Sequence, residues 1–379
     1  MSNLLKTFLN EPNPPEISSG EGMWLFSDDK KYFDMTAGFT AHAVIGWNNK
    51  LVNTMIQNQL KKITHIDYKM FNDPNRDKLA SLLCSKKSHN LDKVFFCGGS
   101  GGEACETAMH LSFQAHYESG NRDKTWFISR NQSYHGATTE TMSIGERPNL
   151  DFYRPLFPKN RAKISEHNKF RHMLESESED DYAKRCAQEL EDKILDIGPE
   201  RVCAFIGETI MGGLIGDVPP CKNYWKYIRE VCDKYNVHLI IDEVWCGTGT
   251  SGKIYCIDWD DISPDFIFLG KTLGAGYVPI SAILTSSKIA SIIKEGSGRI
   301  ENSTTFQGHS LAIAAALGVQ KVIHENGFVE EVNRKGNLFR ELLSHHFQDH
   351  EFFVNVRGRG MRNSMEISCD DEHLFGLSV

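Results

Sequence analysis

The stretch Val237-His238-Leu239-Ile240-Ile241-Asp242-Glu243 decides the fold when it is read together with Phe266-Ile267-Phe268-Leu269-Gly270-Lys271. Each stretch is an apolar run that leads to a charged residue, Asp242 in the first and Lys271 in the second. Apolar runs of this length are typical of strands that are buried on both faces of a parallel sheet. Ligands bind outside the carboxyl ends of such strands. The pattern therefore predicts that a carboxylate and an amine meet at one edge of one sheet.

An amine and a carboxylate placed in this way are the protein half of pyridoxal phosphate chemistry. A desolvated lysine has a lowered pKa and can attack a carbonyl group, and a buried aspartate can keep a pyridine nitrogen protonated. Each residue also has an ordinary alternative. Asp242, with Glu243 beside it, could cap the following segment, and Lys271 could be a surface lysine. Taken one residue at a time, these alternatives stay open.

Size and composition are those of an ordinary soluble protein. The chain has 379 residues, of which 40% are apolar and 24% charged, which is enough for one large domain and a smaller one. The net charge is −8, and the lysines and arginines are scattered, so no nucleic-acid partner is expected. No apolar stretch is long enough to span a membrane, and the amino terminus lacks the apolar core of a signal peptide.

The ten cysteines show no spacing typical of a disulfide framework, and no Cys-x-x-Cys pair occurs. We therefore expect reduced, mostly buried thiols in a cytoplasmic protein, and we expect no metal site. Cys97, Cys203, Cys232 and Cys246 fall in predicted buried strands or helices.

Strands alternate with helices along most of the chain, which predicts an α/β fold with a largely parallel sheet, mixed at its edge. Besides the two runs above, the predicted strands cover residues 94–96, 126–128 and 202–206. The predicted helices cover residues 51–62, 76–84, 103–117, 181–195, 224–235, 311–325 and 332–347. Outside this pattern we expect an irregular entry at residues 11–22, a hairpin at 23–34, a solvated loop or helix start at 175–181, and terminal strands at 354–357 and 365–367.

Three further segments could hold parts of a phosphorylated ring. Residues 98–104, Gly-Gly-Ser-Gly-Gly-Glu-Ala, follow a strand and open a helix, where backbone N–H groups favour a phosphate. Their spacing matches neither Gly-x-Gly-x-x-Gly nor a Walker A loop, which disfavours a nucleotide. Residues 133–136 present the aromatic ring of Tyr134 after a strand, and residues 304–309 present hydroxyl groups before a helix. Packing and helix capping are the ordinary alternatives for these last two segments.

Taken in order, these segments resemble class III aminotransferases, the ω-aminotransferase group of pyridoxal-phosphate enzymes of fold type I. The similarity runs from about Gly20 to Ile367. Its motifs are the entry hairpin at residues 22–38, Ser100-Gly101-Gly102-Glu103-Ala104, Tyr134-His135-Gly136, Ile241-Asp242-Glu243-Val244, Gly270-Lys271 with Gly274, Gly276, Tyr277 and Pro279, Thr305-Phe306 with His309, and Val356-Arg357-Gly358-Arg359-Gly360-Met361. The ordered set is specific, although no single motif is.

The resemblance implies a large domain with a mostly parallel mixed sheet flanked by helices, and a smaller α+β domain. Residues 1–55 would contribute to the small domain, residues 56–305 would form the large cofactor-binding domain, and residues 306–379 would form a shortened carboxyl-terminal small domain. It also implies a homodimer, or a higher oligomer, with shared active sites.

By position, the resemblance implies that Lys271 holds pyridoxal 5'-phosphate as an internal aldimine and then moves the substrate proton. Asp242 would pair with the pyridine nitrogen, and Glu208 would lie near the cofactor hydroxyl. The other implied contacts are Ser100, Gly101 and Gly102 at the phosphate, the ring-stacking motif with Tyr134 and His135, Val244 on the opposite ring face, and Thr305 of the partner subunit at the phosphate.

The chain departs from the family pattern at three places. Thr209 stands where the family usually has a proline after the glutamate. Residues 247–252, Gly-Thr-Gly-Thr-Ser-Gly, replace Gly-Phe-Gly-Arg-Thr-Gly, so an arginine near the wall of the active site is missing. The chain stops at Val379, before the stretch where the family often binds substrate carboxylates with an arginine. We therefore expect a member without that contact, or a truncated or divergent one.

The first functional hypothesis is an aminotransferase that moves an amino group from a primary amine or amino acid to a keto acid. A decarboxylase, lyase or aminomutase of the same fold is the alternative, because all begin from the same lysine and aspartate. Residues 271–276 also resemble the dialkylglycine decarboxylase relatives. A non-catalytic relative is a third hypothesis, which the retention of Lys271, Asp242 and the phosphate turn disfavours.

Overall fold

The computed structural model describes residue 5, residue 7 and residues 13–148, 150–325 and 327–368. The strands along these residues are β1 (Ser19–Glu21), β2 (Trp24–Phe26), β3 (Lys31–Phe33), β4 (Lys93–Phe96), β5 (Trp126–Arg130), β6 (Arg161–Ile164), β7 (Val202–Glu208), β8 (His238–Asp242), β9 (Phe266–Leu269), β10 (Ala282–Thr285), β11 (Phe353–Arg359) and β12 (Arg362–Ile367). The helices are α1 (Lys50–Leu60), α2 (Pro74–Leu83), α3 (Gly101–Glu118), α4 (Thr139–Ile144), α5 (Lys169–His172), α6 (Glu179–Ile197), α7 (Tyr224–Lys234), α8 (Ser287–Glu295), α9 (Ser310–His324) and α10 (Phe328–Phe347).

A seven-stranded sheet lies at the centre, in the order β4–β10–β9–β8–β7–β5–β6. The strands β9, β8, β7, β5 and β6 run parallel to one another, whereas β10 is antiparallel to both β4 and β9. The predicted mixed, mostly parallel α/β sheet is therefore confirmed. The carboxyl ends of β7, β8 and β9 lie side by side, because Glu208 pairs in register with Asp242, and Asp242 with Phe268.

The sheet is buried on both faces because its central strands are mostly apolar, with their charged residues at the strand ends. Successive side chains of a strand point to opposite faces. Ile240 accordingly packs in a core with Ala104 and other α3 residues, whereas Ile241 packs in a second core with α6, α7 and α9. Trp225 of α7 is one of the large side chains in that second core. Two buried faces hold the strands rigidly and fix the positions of the residues at their ends.

The acidic run at residues 175–181 is explained by the start of α6. Ser178 caps this helix by accepting a hydrogen bond from the backbone N–H of Asp181. Three acidic residues occupy the first turn, where they interact favourably with the positive end of the helix dipole. The expectation of a helix start in this run is confirmed.

Three strands escaped the sequence analysis. β1 falls in residues 11–22, for which an irregular entry was expected, and that expectation is wrong at Ser19–Glu21, which pairs with β2. β6 and β10 were not predicted either. Each has four residues, as β4 and β9 also have, but neither is followed by the glycine that comes within two residues of the ends of β4 and β9. The predicted terminal strands are present as the antiparallel pair β11 and β12.

The domain boundaries after residues 55 and 305 stay a prediction, and residues 369–379 of the predicted small domain lie outside the described residues. The nine cysteines of the described chain are free thiols, and all are buried except the half-buried Cys84. Burial of Cys97, Cys203, Cys232 and Cys246 is thereby confirmed. Within the same residues, no helix combines the length and apolarity needed to cross a bilayer.

Candidate active site

A cavity of about 910 Å³ opens at the carboxyl ends of β7, β8 and β9. Its lining includes Glu208 and Asp242, which end β7 and β8, and Lys271, which follows β9. Of the ten site residues expected from the sequence, nine line this cavity and Thr305 does not. The predicted meeting of the carboxylate and the amine at one sheet edge is therefore what the fold produces.

Asp242 is a buried carboxylate with two defined partners. Its Oδ1 accepts a hydrogen bond from the backbone N–H of Val244 at 2.9 Å, and its Oδ2 lies 2.8 Å from Nδ1 of His135. The side chain of His135 is buried, and its Nε2 has no hydrogen-bond partner among the described residues. Asp242 is thus held in one orientation with its carboxylate at the cavity wall.

Lys271 begins a 3₁₀ turn, Lys271–Leu273, with a φ of +39°. A positive φ is strained for any residue with a Cβ atom, and such strain persists only where the surroundings impose it. Burial is the main cause that lowers the pKa of Lys271, and nearby Arg362 lowers it further, whereas Asp242 and Glu208 raise it. A lysine with a lowered pKa is more often neutral and therefore more nucleophilic.

Glu208 ends β7 and is also buried. Its Oε1 accepts from the backbone N–H of Tyr134 and its Oε2 from that of Gly212, both at 3.1 Å. Burial raises the pKa of the Glu208 carboxyl group, the charge of His135 lowers it, and the charge of Asp242 raises it again. Glu208 therefore links the segment that carries the aromatic ring to the central sheet, with its carboxyl group on the cavity.

The turn before α3 is held together by its own side chains. The Ser100 hydroxyl accepts from the backbone N–H of Glu103 at 3.1 Å. The Glu103 carboxylate accepts from the N–H groups of Gly98 and Gly99 at 2.8 and 3.0 Å. This leaves the N–H groups of residues 100–102 without an acceptor among the described residues. Free N–H groups at a helix start, facing a cavity, suit a phosphate.

Gly101 is required by close packing against Val244, two residues after the end of β8. A Cβ atom on this residue would lie 2.9 Å from both γ-methyl groups of Val244, closer than real Cβ atoms approach. We expect Gly101→Ala to displace the turn and raise the dissociation constant of the cofactor at least tenfold, about 1.4 kcal/mol. Fluorescence titration of the apoprotein measures this constant.

Gly102→Ala is the matched control for that prediction. A Cβ atom on Gly102 would lie 3.6 Å from its nearest neighbour, an ordinary van der Waals distance. This variant should therefore change the dissociation constant far less than Gly101→Ala does. Equal constants for the two variants would show that the contact with Val244 does not shape the turn.

Glu243, the second carboxylate of the signature, points away from the cavity. Its two oxygens accept from the backbone N–H groups of Cys256 and Ile257 at 2.8 and 2.7 Å, and from the Thr209 hydroxyl at 3.1 Å. Thr209, which replaces the usual proline, therefore serves to hold Glu243. Glu243 thus caps a later segment of the chain, whereas Asp242 caps the residues directly after it and also faces the cavity.

Several cavity residues were missed by the sequence analysis. Trp245 lines the cavity wall. It directly follows Val244 in sequence, so its place next to the Asp-Glu-Val signature could have indicated it. Arg147 lies over the ring of Tyr134 at 5.7 Å, and His42 comes from the amino-terminal segment. Neither stands at a strand end, so no local pattern indicates them.

Thr305 lies outside the cavity and is exposed. Its backbone oxygen lies 3.0 Å from Nε2 of His65, and the next residue, Phe306, is 65% exposed. Phe306 also lines a smaller apolar groove that shares Gly99 and Pro279 with the cavity. The predicted contact of Thr305 with the partner subunit's phosphate stays a prediction.

Comparison with known proteins agrees with the site. The family model described as aminotransferase class-III matches residues 10–375. An uncharacterized aminotransferase of Schizosaccharomyces pombe is 34% identical over 96% of this chain and 80% of its own length. Gamma aminobutyrate transaminase 2 of Solanum lycopersicum is 32% identical over 93% of this chain and 78% of its own length. The crystal structure of an omega transaminase from Pseudomonas jessenii in complex with PMP is 33% identical, with a TM-score of 0.88 over 95% of this chain and 80% of its own.

The chain therefore belongs to the class III aminotransferases. It is a pyridoxal-phosphate-dependent enzyme of fold type I that transfers amino groups. The residues of the cavity fit this cofactor, since the free N–H groups of residues 100–102 suit the phosphate and the Asp242 carboxylate suits a protonated ring nitrogen.

Proposed function

We propose that amino transfer from a primary amine or amino acid to a keto acid runs through Lys271, Asp242 and Glu208. When bound, pyridoxal phosphate supplies a ring that withdraws electrons from the substrate. Lys271 is the covalent anchor, and its amine carries the proton at the substrate carbon. Asp242 keeps the ring nitrogen protonated, and Glu208 orients the ring from the side. The observation that carries this proposal is a desolvated lysine and a buried carboxylate on one cavity.

The same proposal assigns the remaining contacts. Ser100, Gly101 and Gly102 hold the phosphate with their backbone N–H groups. Tyr134 and Val244 cover the two faces of the ring, and His135 fixes the orientation of Asp242 through the 2.8 Å contact with Oδ2. The support for these roles is that all six residues line the cavity.

An amine panel with pyruvate as the common acceptor tests the reaction type. We expect alanine to form with at least one primary amine or amino acid, without release of carbon dioxide. Stoichiometric carbon dioxide would assign the decarboxylase alternative. A protein that binds the cofactor but whose visible absorbance no amine changes would support the non-catalytic alternative.

We also propose a cytoplasmic homodimer in which Thr305 reaches the phosphate of the other subunit's site. The exposed Phe306, in the segment of Thr305, and the apolar groove beside the cavity support an interface there. The free, buried cysteines support a reducing compartment. Sedimentation equilibrium of the holoenzyme tests the dimer, and a monomer that retains full activity would contradict it.

A further inference from the structure

Arg362, the first residue of β12, is a buried cation that forms no ion pair with any residue that the structure describes. It is 4% exposed, and no carboxylate of the described chain lies within 4 Å of its guanidinium. Burial lowers its pKa to about 10, so it is charged at neutral pH. Burying an unpaired charge is costly, so a side chain in this state needs compensating contacts.

Those contacts join three distant parts of the chain. Arg362 Nε donates to the Thr250 hydroxyl at 3.1 Å, and its Nη2 donates to the backbone oxygen of Ala41 at 3.1 Å. The guanidinium carbon lies 4.3 Å from the ring centroid of Trp245. The indole N–H of Trp245 donates in turn to Asp217 at 2.7 Å. The arginine and this hydrogen bond together fix Trp245 as a wall of the cavity.

Trp245 also lies close to the lysine. The ammonium nitrogen of Lys271 lies 5.5 Å from the same ring centroid, so the two cations lie within about 10 Å of each other. The charged or titratable groups that act on Lys271 are Asp242, Glu208, Cys246, His42 and Arg362. Those that act on Arg362 are Asp217, Cys246 and Cys256. Among the groups that act on Lys271, the positive charges are those of Arg362 and, when it is protonated, His42.

Thr250 stands where the family pattern that this chain resembles has an arginine. Because the Arg362 guanidinium contacts the Thr250 hydroxyl, it occupies the space beside that position. We propose that Arg362 is a positioning residue, which supplies from β12 the charge missing at position 250, holds Trp245 as the cavity wall and places a fixed cation behind Lys271. This inference rests on the proposed role of Lys271.

Arg362→Met in the holoenzyme tests the charge. The substitution removes a positive charge that favours the deprotonated form of the group that titrates. For a separation of about 10 Å and an effective dielectric constant of about 20, loss of the Arg362 charge should shift the pH midpoint of the bound cofactor's visible absorbance upward by about one unit. Loss of the wall should also raise KM for the amine more than it lowers kcat. Arg362→Lys keeps the charge and should leave the midpoint within about 0.3 of wild type.

Arg340→Met is the matched control. Arg340 donates to the backbone oxygen of Gly360 and contacts Asn363 in the same β11–β12 unit, but it does not line the cavity. This variant perturbs the unit without removing the charge behind Lys271, so its midpoint should equal that of the wild type. A folded Arg362→Met whose midpoint also equals that of wild type would overturn the inference. If Arg362→Met does not fold, Arg362→Gln carries the same expectation and the same refuting result.

The double variant Thr250→Arg with Arg362→Met returns the cation to the family position. It should restore the midpoint and KM toward wild type, whereas a midpoint that stays shifted would contradict the exchange of positions. Failure of this inference is distinguishable from failure of the proposed function. If the proposed function were wrong, the wild type itself would show no cofactor absorbance that titrates and no amino transfer.

Discussion

Lys271→Ala is expected to reduce turnover by roughly 10⁴-fold or more, because it removes both the covalent anchor and the group that moves the proton. The visible absorbance of bound cofactor should change with it, since the link to the protein is lost. Steady-state transamination rates and absorbance spectra of the purified variant measure the two effects. We expect no other lysine to substitute for Lys271. Its backbone position is fixed by the buried strand β9 that precedes it and by the turn in which its φ is +39°.

Two variants distinguish loss of the covalent link from loss of positive charge and from an unspecific effect of removing a lysine. Lys271→Arg keeps a positive charge in the cavity but cannot form the link, so it should be as inactive as the alanine variant. Lys294→Ala removes an exposed lysine of α8 and should leave turnover unchanged. Turnover of Lys271→Ala within about tenfold of the wild type would show that another amine is the nucleophile.

Asp242→Asn is expected to leave the cofactor bound and to lower turnover by roughly 10²- to 10³-fold. Asparagine keeps the size of the side chain and an oxygen for the N–H of Val244, but it removes the negative charge. The ring nitrogen then loses its proton more easily, and the ring withdraws electrons less strongly. Single-turnover kinetics with a saturating amine measure the chemical step directly.

Glu243→Gln is the matched control, because it makes the same exchange of carboxylate for amide at the next residue. Burial raises the pKa of Glu243 well above its usual range, and its oxygens bind the backbone of residues 256 and 257 rather than the cavity. Turnover per folded molecule should therefore stay near that of wild type. Equal losses in the Asp242 and Glu243 variants would indicate a general structural effect rather than a charge on the ring.

The sheet and its ligand edge could be predicted because they depend on local patterns. The apolar runs of β8 and β9 are long enough to indicate buried strands, and parallel neighbours bring their carboxyl ends together. β10 is as short as β9, but it ends in Thr285 and no glycine or signature residue follows it to mark a strand end. Its antiparallel direction is set by pairing with β4 and β9, which are distant in sequence.

The site was predictable to the same extent. Local sequence patterns indicated the site residues at strand ends and in the Gly-rich turn. The resemblance to the family then assigned each of them a role. The contact of Arg362 with Thr250 and Ala41 spans more than 100 and 300 residues of chain. Nothing near Arg362 in sequence indicates a place beside the cavity, because its environment is made entirely by tertiary packing.

Borohydride reduction of the holoenzyme, followed by digestion and peptide mass spectrometry, tests the central claim most directly. Reduction makes the bond between the lysine and the cofactor permanent. We predict one modified peptide, which contains residues 266–271 and carries the added mass of the reduced cofactor on Lys271. A modification on any other lysine, or a fully loaded protein from which reduction yields no modified peptide, would contradict the account.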